Sequence, residues 1–594
     1  MKLMKPIAGT EIPNGDKWVY EVKYDGFRCV LVWEKNSVKL FSRNDTDLSG
    51  NFPEIIAYCQ ERQELIANEL PLKLDGELVV LNNPLQANFS LIQKRGRLSN
   101  KDAISTAADA RPASFMAFDL FNRENDAHFS VRKKRLAEIL HPLKENGLVR
   151  YVPFYEDANM LWKEIFENKG EGMIAKRRDS TYGIGKKHHD WYKIKNWRTI
   201  TVFMTFYHPG NDYFSIGVFD DNSIHEVGKC KHGLDNEQME TLKSLFLSKG
   251  AAEKDGYRLP PAICAEIHTL DLHGGEVREP EFVQLLPGMT ADSCTWSKLQ
   301  QDISMLPEVI NPSHLNKTFW PEPGFTKGDL LVYMREITPY MLPFLRNRRL
   351  TVIRCPDGVD DTSFFQKHLP DYAPDYIREI QVDDEMFFSC EDLNSLTWFA
   401  NHGAIEFHVP FQTADSETPC EIVFDLDPPD REAFPLAIKA AVLLKEMLDD
   451  LKLTSFVKTS GGKGLQVHIP IPNGSLTYDE TAVFTQAIAW TIEGRYPDSF
   501  TTERLKEKRG NKLYIDYLQH GKDKTLVAPY SPRKSTDATV AAPLFWSEVK
   551  KGLTPDLFTI ENAVDRVKTK GCPFSGYWKA GAEQNMEKLI GLIK

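Results

Sequence analysis

The sequence lacks the features that would place the chain across or outside a membrane. No run of apolar residues reaches the roughly 18 that a membrane span needs, and residues 1–18 contain no apolar core of signal-peptide length. The 9 cysteines stand singly, without a CxxC pair, which argues against a structural zinc site. Their odd number favours a reducing compartment over a disulfide framework. We therefore expect a cytoplasmic protein with no membrane partner.

The composition is that of a globular protein, with 42% hydrophobic and 26% charged residues and no repeat or low-complexity tract. At 594 residues the chain is too long for one core, so we expect roughly three or four domains. The net charge of −11 argues weakly against a nucleic-acid partner. Short basic clusters nevertheless recur in both halves and keep that partner open. They lie at residues 94–97, 132–135, 176–178, 186–189, 346–349 and 504–512.

A short stretch around Lys23 predicts a reactive amine. Apolar residues alternate at positions 18, 20 and 22 and then run from 29 to 33, which predicts two short strands with Lys23 near the turn. A protonated lysine is a poor nucleophile, so we expect partial burial or a neighbouring cation to lower its pKa. The fork of Arg28 suits phosphate or carboxylate. The alternative is a hairpin with a surface pair of Lys23 and Asp25.

Two later strands carry like charges on one face. Asp75 and Glu77 alternate along an apolar strand, so their carboxylates repel unless a cation or a ribose hydroxyl lies between them. Lys193 and Lys195 likewise share one strand face, where two ammonium groups can hold a triphosphate. For both pairs the alternative is a solvated strand face.

The organisation changes after the first 200 residues. Short strands interrupted by one helix between 198 and 300 predict a small OB-type barrel. Asp235 and Gln238 are spaced as a capping box at the start of that helix. The turn-rich segment 306–325 predicts a domain boundary. A helix is expected after it, from Asp329 to Phe344, with Pro339 and Pro343 interrupting it.

The second half carries a cluster of strand aspartates. Asp425 and Asp427 share one face at the end of an apolar strand that two prolines stop, and like charges in that position call for divalent cations. Asp516 ends another strand. A glycine-rich loop contains Ser460 and Lys463, which can donate to phosphates, although its spacing is not that of a Walker loop. An acidic loop edge and a flexible surface turn are the alternatives.

Four stretches in the first half, residues 21–28, 74–81, 171–176 and 191–195, resemble in order the signatures of nucleotidyltransferases that attach AMP or GMP to a lysine. These are the DNA ligases, RNA ligases and capping enzymes. The resemblance implies that Lys23 is adenylated, that Lys176 neutralises phosphate and that Arg278, in a weaker match, orients pyrophosphate. It implies metal binding by Glu77 and Glu171. It also implies nucleotide binding by Glu21, Arg28, Arg43, Glu77, Phe118, Lys193 and Lys195.

Residues 320–594 resemble the polymerase domain of the archaeo-eukaryotic primase superfamily. The resemblance implies that Asp425, Asp427 and Asp516 are catalytic and bind metal, and that Ser460, Lys463 and Arg533 contact a triphosphate. Positions of lower specificity are Lys327, Phe364, Lys367 and His408. Many relatives have histidine where Gln466 stands, and His468 on the same strand face is a candidate substitute.

Both halves together resemble the bacterial ligase D family of non-homologous end joining, with the ligase first. We therefore expect an α+β multidomain chain. Its domains are an adenylation domain of nucleotidyltransferase (ATP-grasp-like) fold at 1–197, an OB-fold at 198–300, a linker at 301–319 and a primase-type polymerase at 320–594. The expected cofactors are ATP with Mg²⁺ or Mn²⁺. The expected partners are DNA ends and nicks, NTPs or dNTPs, and a Ku homodimer, in association with the nucleoid.

Two other classes stay open from the sequence. One is a nucleotidyltransferase of RNA repair or capping, which shares the lysine signature. The other is a non-catalytic scaffold that binds DNA ends and whose lysine and aspartates are structural.

Overall fold

The computed structural model describes residues 2–121, 126–143 and 147–593, which form two compact units, Met1–Met305 and Leu306–Lys594. Each unit mixes helices with several separate sheets, in agreement with the predicted α+β class. Among the described residues, no helix combines the length and the apolar character that a membrane crossing requires.

The first unit is built from strands β1 to β20 and helices α1 to α7, numbered along its described residues. The strands are Lys5–Ala8, Trp18–Val22, Phe27–Glu34, Ser37–Ser42, Leu72–Val79, Leu81–Asn83, Gln86–Ala87, Ser114–Leu120, Val149–Tyr151, Phe154–Tyr155, Gly172–Arg177, Lys187–Lys195, Arg198–His208, Tyr213–Asp220, Ser223–Cys230, Ala251–Glu253, Gly256–Thr269, Leu272–His273, Glu276–Val277 and Glu281–Leu285. The helices are Pro53–Glu61, Phe89–Arg97, Lys101–Ala110, Phe129–Leu140, Ala158–Glu167, Asn236–Lys249 and Trp296–Ser304.

Two five-stranded sheets frame the segment that contains Lys23. Their strand orders are β1-β12-β11-β2-β10 and β4-β3-β5-β8-β9. The predicted strands on either side of Lys23 are present as β2 and β3, but they belong to different sheets and do not form a hairpin. The connecting turn therefore lies where the two sheets meet. At Gly26 an added Cβ would lie 2.2 Å from the carbonyl oxygen of Leu78, so only glycine fits there.

The rest of the first unit has a six-stranded sheet of order β15-β14-β13-β17-β16, with β20 also pairing with β17. The strands predicted between 198 and 300 are all present. The capping box predicted at the start of α6 is confirmed, because Asp235 accepts from the backbone N–H of Gln238 and the Gln238 side chain accepts from that of Asp235.

The second unit is built from strands β21 to β34 and helices α8 to α14 within its described residues. The strands are Thr318–Trp320, Phe325–Thr326, Thr351–Arg354, Phe364–Gln366, Glu379–Val382, Glu385–Phe388, Ala404–Pro410, Glu421–Asp427, Phe456–Thr459, Leu465–Pro470, Phe500–Thr501, Leu513–Asp516, Thr525–Val527 and Pro543–Leu544. The helices are Lys327–Met341, Leu393–Asn401, Phe434–Asp450, Tyr478–Arg495, Ala563–Lys570, Tyr577–Glu583 and Glu587–Ile593.

The main sheet of this unit has the order β31-β32-β28-β30-β29-β34, and a four-stranded sheet has the order β24-β23-β27-β33. Alternation along β28 sends Ile422, Phe424 and Leu426 into the core against α10 and leaves its aspartates on the opposite face. The expected interruption of α8 at Pro339 is wrong. The helix continues through Pro339 to Met341, because it is buried along most of its length and packing outweighs the lost hydrogen bond. Pro343 does lie where the α-helix has ended, in a 3-10 turn at Leu342–Phe344.

Candidate active sites

Lys23 lies directly after β2 and faces the start of β11. Its backbone N–H donates to the carbonyl of Gly172 at 2.8 Å, and its Nζ donates to Oε1 of Glu171. The expected lowering of its pKa is wrong. Burial lowers the pKa of Lys23, but the charge and the hydrogen bond of Glu171 outweigh burial and raise it above the ordinary value. The neighbour is an acid and not a cation, so the resting amine is protonated.

A cavity of about 170 Å³ opens beside this lysine and brings together most of the predicted nucleotide-binding set. Of that set, Glu21, Arg28, Glu77 and Phe118 line it, together with Lys23. Glu171 is not part of the lining but contacts Lys23, which is. Arg43 is exposed and not part of the lining, although its backbone N–H donates to the carbonyl of Arg28 at 3.1 Å.

The buried end of the cavity is a carboxylate held by two lysines. Glu21 is 2% exposed, and its Oε1 lies 2.6 Å from Nζ of Lys133 while its Oε2 lies 2.6 Å from Nζ of Lys176. Lys176 also sits over the rings of Trp191 at 4.2 Å and Phe118 at 4.5 Å. Burial lowers the pKa of Lys133 to about 8, although Glu21 opposes the shift. From the sequence, Lys133 is singled out only as part of the basic cluster 132–135 and is not assigned to this site.

Arg28 is already engaged by a carboxylate. Its Nε and Nη2 each donate to Asp75 at 2.6 Å, and the hydroxyl of Tyr182 donates to the same carboxylate at 2.7 Å. The guanidinium lies 4.4 Å from the ring centre of Phe118. The neighbouring carboxyl of Glu77 is less well compensated, since burial raises its pKa to about 8.

Side chains from β12 and the segment after β19 complete this region. Arg278 donates through both terminal nitrogens to Asp25, with Nη2 2.8 Å from Oδ1. Nζ of Lys195 lies 2.7 Å from Oε2 of Glu279. Partial burial, then the charges of Lys195 and Lys23, lower the pKa of Lys193. The weakest sequence match, Arg278, therefore contacts Asp25, which follows Lys23 by two residues in the chain.

In the second unit the three predicted aspartates meet on neighbouring strands. Asp425 stands opposite Asp516 in the register of β28 and β32. Asp427 lies 3.1 Å from Nζ of Lys463 and 3.6 Å from Nη1 of Arg509. Burial, offset in part by Gln466 and assisted by the other two aspartates, raises the pKa of Asp425 to about 6. Over residues 2–121, 126–143 and 147–593, no three His, Cys, Asp or Glu side chains converge closely enough to hold a metal ion.

The glycine-rich loop closes on itself beside these aspartates. The hydroxyl of Ser460 accepts from the backbone N–H of Gly462 at 3.2 Å and of Gly464 at 3.1 Å. Gly461 has φ +69°, and a Cβ there would lie 2.6 Å from Cγ of Arg533. Arg533 in turn reaches Glu406 with Nε at 3.4 Å from Oε1. Ser460, Lys463 and Arg533 are thus gathered at one edge of the sheet.

The structure corrects the expectation about His468. Its Nδ1 bonds Oε2 of Glu421 at 3.0 Å in the interior, so it does not stand in for the family histidine. Gln466 itself contacts the aspartates, because its Nε2 donates to Oδ1 of Asp425 at 3.1 Å. The other side of that amide accepts from Lys458, a buried lysine that sequence reasoning missed. Burial and the charge of Arg533 lower the pKa of Lys458 to about 7.

The positions of lower specificity are scattered. Lys327 is buried and donates to the carbonyl of Ser313 at 2.7 Å. His408 bonds Glu406 at 2.9 Å, which links it to Arg533. Phe364 is 43% exposed on β24, and Lys367 follows that strand. Of these four positions, His408 is the one linked to Arg533, through Glu406.

Two domain families match the sequence. Residues 4–195 match the ATP dependent DNA ligase domain, and residues 326–574 match the LigD primase-polymerase domain. The chain is similar to the bifunctional non-homologous end joining protein LigD of Bacillus subtilis, with 39% identity covering 100% of this chain and 99% of that protein. It is 25% identical to the multifunctional LigD of Pseudomonas aeruginosa over 91% of this chain and 68% of that one. Among solved structures, the polymerase domain of Mycobacterium tuberculosis ligase D in complex with DNA matches 46% of this chain and 99% of its own, at 27% identity and a TM-score of 0.43.

Proposed function

The chain belongs to the LigD family of non-homologous end joining proteins, and from this we propose which of its residues serve each of two activities. It is an ATP-dependent DNA ligase joined to a primase-type polymerase that acts in double-strand break repair. The RNA-repair, capping and scaffold alternatives are not favoured. We assign the ligase to the first half and the polymerase to the second, in line with the matched segments 4–195 and 326–574.

The ligase reaction begins at Lys23. Its Nζ attacks the alpha-phosphate of ATP, a phosphorus–nitrogen bond forms, and the bond to pyrophosphate breaks. The proton on the amine passes to Oε1 of Glu171, the atom that it already contacts. AMP then passes to the 5′-phosphate of the DNA, and a 3′-hydroxyl displaces AMP and seals the break.

The other residues of the cavity orient the nucleotide. Phe118 offers an aromatic face for the adenine, and Glu21 with its two lysines closes the buried end. Arg28 places positive charge near the phosphates. Lys176, which the family resemblance assigns to phosphate, instead holds Glu21 at the buried end. Arg278 stands beside Asp25, where it is near enough to orient the departing pyrophosphate. We also assign Arg43, Lys193 and Lys195 to the nucleotide or the DNA, from the family resemblance alone.

Glu77 and Glu171 are the residues that would hold Mg²⁺ or Mn²⁺ in the ligase half. The donor chemistry fits, because carboxylate oxygens suit both ions and burial raises the pKa of the Glu77 carboxyl to about 8 even though the charges of Arg28 and Lys23 oppose the shift. A bound ion supplies charge that offsets the triphosphate.

Asp425, Asp427 and Asp516 are the residues that would hold the metal ions of nucleotide addition. Carboxylate oxygens from adjacent strands suit Mg²⁺ or Mn²⁺, and burial, followed by the charges of Asp427 and Asp516, raises the pKa of Asp425 to about 6. Bound ions supply the charge that activates the primer hydroxyl and the incoming triphosphate. The loop residues Ser460 and Lys463, with Arg533, would contact the phosphates of the NTP or dNTP.

The remaining assignments follow the family. We propose domains at 1–197, 198–300 and 320–594 with a linker at 301–319, DNA ends and nicks as substrates, and a Ku homodimer as the partner at the nucleoid. DNA as a ligand is supported by the relative whose polymerase domain was solved in complex with DNA.

The observation that carries the ligase assignment is the contact of Lys23 with Glu171 at the mouth of a cavity lined by Arg28, Glu77 and Phe118. Its test is incubation with alpha-labelled ATP or GTP and a divalent ion. The wild-type chain is expected to gain one adenylate from ATP, Lys23→Ala none, and the labelled enzyme to seal nicked DNA in preference to nicked RNA. A chain that takes up no label is a scaffold, and preferential sealing of nicked RNA would indicate RNA repair.

A further inference from the structure

A chain of three side chains crosses neighbouring strands of the main sheet in the second unit. Lys458 on β29, Gln466 on β30 and Asp425 on β28 occupy matching positions in the strand register. Nζ of Lys458 donates to Oε1 of Gln466. Nε2 of Gln466 then donates to Oδ1 of Asp425 at 3.1 Å.

The environment of Lys458 is unusual for a lysine. The residue is 0% exposed and Gln466 is 2% exposed, whereas lysines are rarely buried without a carboxylate partner. Within the part of the chain that the structure describes, Lys458 forms no ion pair, and its hydrogen-bond partner is the amide oxygen of Gln466. A surface or solubility role therefore does not explain this ammonium group.

The donors and acceptors of these three side chains fix the direction of the two hydrogen bonds. Nζ of Lys458 donates to the oxygen end of the Gln466 amide, and in its protonated form the amine has donors and no acceptor. The nitrogen end must then point at the Asp425 carboxylate, which only accepts. Without Lys458 the amide is free to rotate by half a turn, and its oxygen would then face the carboxylate and repel it.

We propose that Lys458 is a positioning residue for nucleotide addition, which acts through the amide of Gln466 to hold the carboxylate of Asp425 in place. This inference rests on the polymerase function proposed above. Lys458 is 0% exposed, so it acts on nucleotide addition through Gln466 and not by touching nucleotide or primer.

The test is a double-substitution cycle on the full chain with Lys458→Met, Gln466→Met and the pair. The first removes the donor, and the second removes the amide at nearly constant volume. Lys439→Met, an exposed lysine on α10, is the matched control. Three quantities are measured: the kcat and KM of nucleotide addition, the affinity for Mn²⁺ from its effect on the melting curve, and nick sealing as an internal check.

Lys458→Met is expected to lower kcat by about tenfold or more, the effect of losing a hydrogen bond to a charged group. It is expected to weaken Mn²⁺ binding, with little change in KM for the nucleotide. In the Gln466→Met background the same substitution should change both quantities by less than about twofold, since the amide it orients is gone. Lys439→Met and nick sealing are expected to match the wild type.

The inference fails if Lys458→Met retains wild-type kcat and Mn²⁺ affinity, or if the losses multiply in the double variant. If the second unit of Lys458→Met does not melt cooperatively, Lys458→Gln replaces it in the cycle and the same comparison is made. A wild-type chain that adds no nucleotide contradicts the polymerase function, while the Mn²⁺ measurements still test the role of Lys458.

Discussion

The amine of Lys23 donates to the carboxylate of Glu171, a residue 148 positions further along the chain. The two are brought together because β2 pairs with β11, and Glu171 immediately precedes β11. The pair explains why Lys23 is protonated at rest and how it loses that proton to become a nucleophile. The carboxylate stabilises the protonated amine of Lys23. Its Oε1 already accepts a hydrogen bond from that amine, so it is also positioned to accept the proton.

Replacement of Glu171 by Gln tests this relationship. An amide cannot accept the proton from Lys23, so labelling of the chain by alpha-labelled ATP is expected to slow by about a hundredfold, the low end of general-base effects. Glu138→Gln, an exposed carboxylate on α4, is the control and is expected to label at the wild-type rate. An unchanged labelling rate in Glu171→Gln would assign the proton to another acceptor.

A second test of the ligase half is the replacement of Lys133, which forms an ion pair with one oxygen of the buried Glu21. In Lys133→Met that oxygen loses its cation, and we expect unfolding of the first unit to become easier by about 3–5 kcal/mol and the KM for ATP to rise. Lys134→Met, exposed on the same helix, is expected to change neither. The measurement is the temperature at which label uptake from ATP is lost. Equal midpoints for the two variants would show that Glu21 does not depend on Lys133.

The contrast between Lys133 and Lys23 shows what a sequence reveals. Lys23 sits in a pattern of alternating apolar residues and glycine, so its place between two strands was predictable. The capping box at Asp235 was also predictable, because its two partners lie within one turn of helix. The role of Lys133 was not predictable, because Glu21, with which it pairs, lies on a strand far away in the chain.

The polymerase half gives the same lesson. The period of two along a strand correctly placed Asp425 and Asp427 on one face, but it could not tell which residues stand opposite on the next strand. Register decides that Gln466 meets Asp425. It also leaves His468 beside Glu421, which the strand pattern alone did not indicate.

Independence of the two sites is tested by reciprocal variants. Asp425→Ala combined with Asp427→Ala removes two of the three acids, so nucleotide addition to a primer end is expected to vanish while nick sealing stays at the wild-type level. Lys23→Ala is the mirror control, expected to add nucleotides and to seal nothing. The assays are extension and sealing of labelled duplexes by the same preparations. Loss of both activities in the double aspartate variant would contradict separate sites.

The pH dependence of stability provides a test away from either site, at Glu421. Its Oε1 lies 2.7 Å from Nη1 of Arg348, and its Oε2 accepts from Tyr577 at 2.6 Å and from His468 at 3.0 Å. Burial raises the pKa of Glu421, but Arg348 and the two hydrogen bonds outweigh it and hold the pKa well below the ordinary value of 4.5. Burial is also the main cause that lowers the pKa of His468 below 6.5.

Both shifts make the fold less stable in acid. A carboxyl whose pKa is depressed in the fold stabilises it above the ordinary value and loses that contribution as the pH falls from 4.5 towards the depressed pKa. A histidine kept neutral in the fold takes up a proton more readily when unfolded, so stability already declines below about 6.5. The second unit is therefore expected to lose stability in two stages as the pH falls.

Glu421→Gln separates these stages. Near neutral pH the variant leaves Arg348 buried without its anion, so we expect a loss of about 3–5 kcal/mol in the free energy of unfolding. Below pH 4.5 the difference in the free energy of unfolding between variant and wild type is expected to narrow. Only the wild type has a carboxylate at this position, and its protonation removes the stabilisation. Pulse proteolysis in urea, scored on peptides from residues 421–470, measures this locally. Glu417→Gln, 83% exposed at its side chain, is the control, and a gap independent of pH would show that Glu421 is not ionised in the fold.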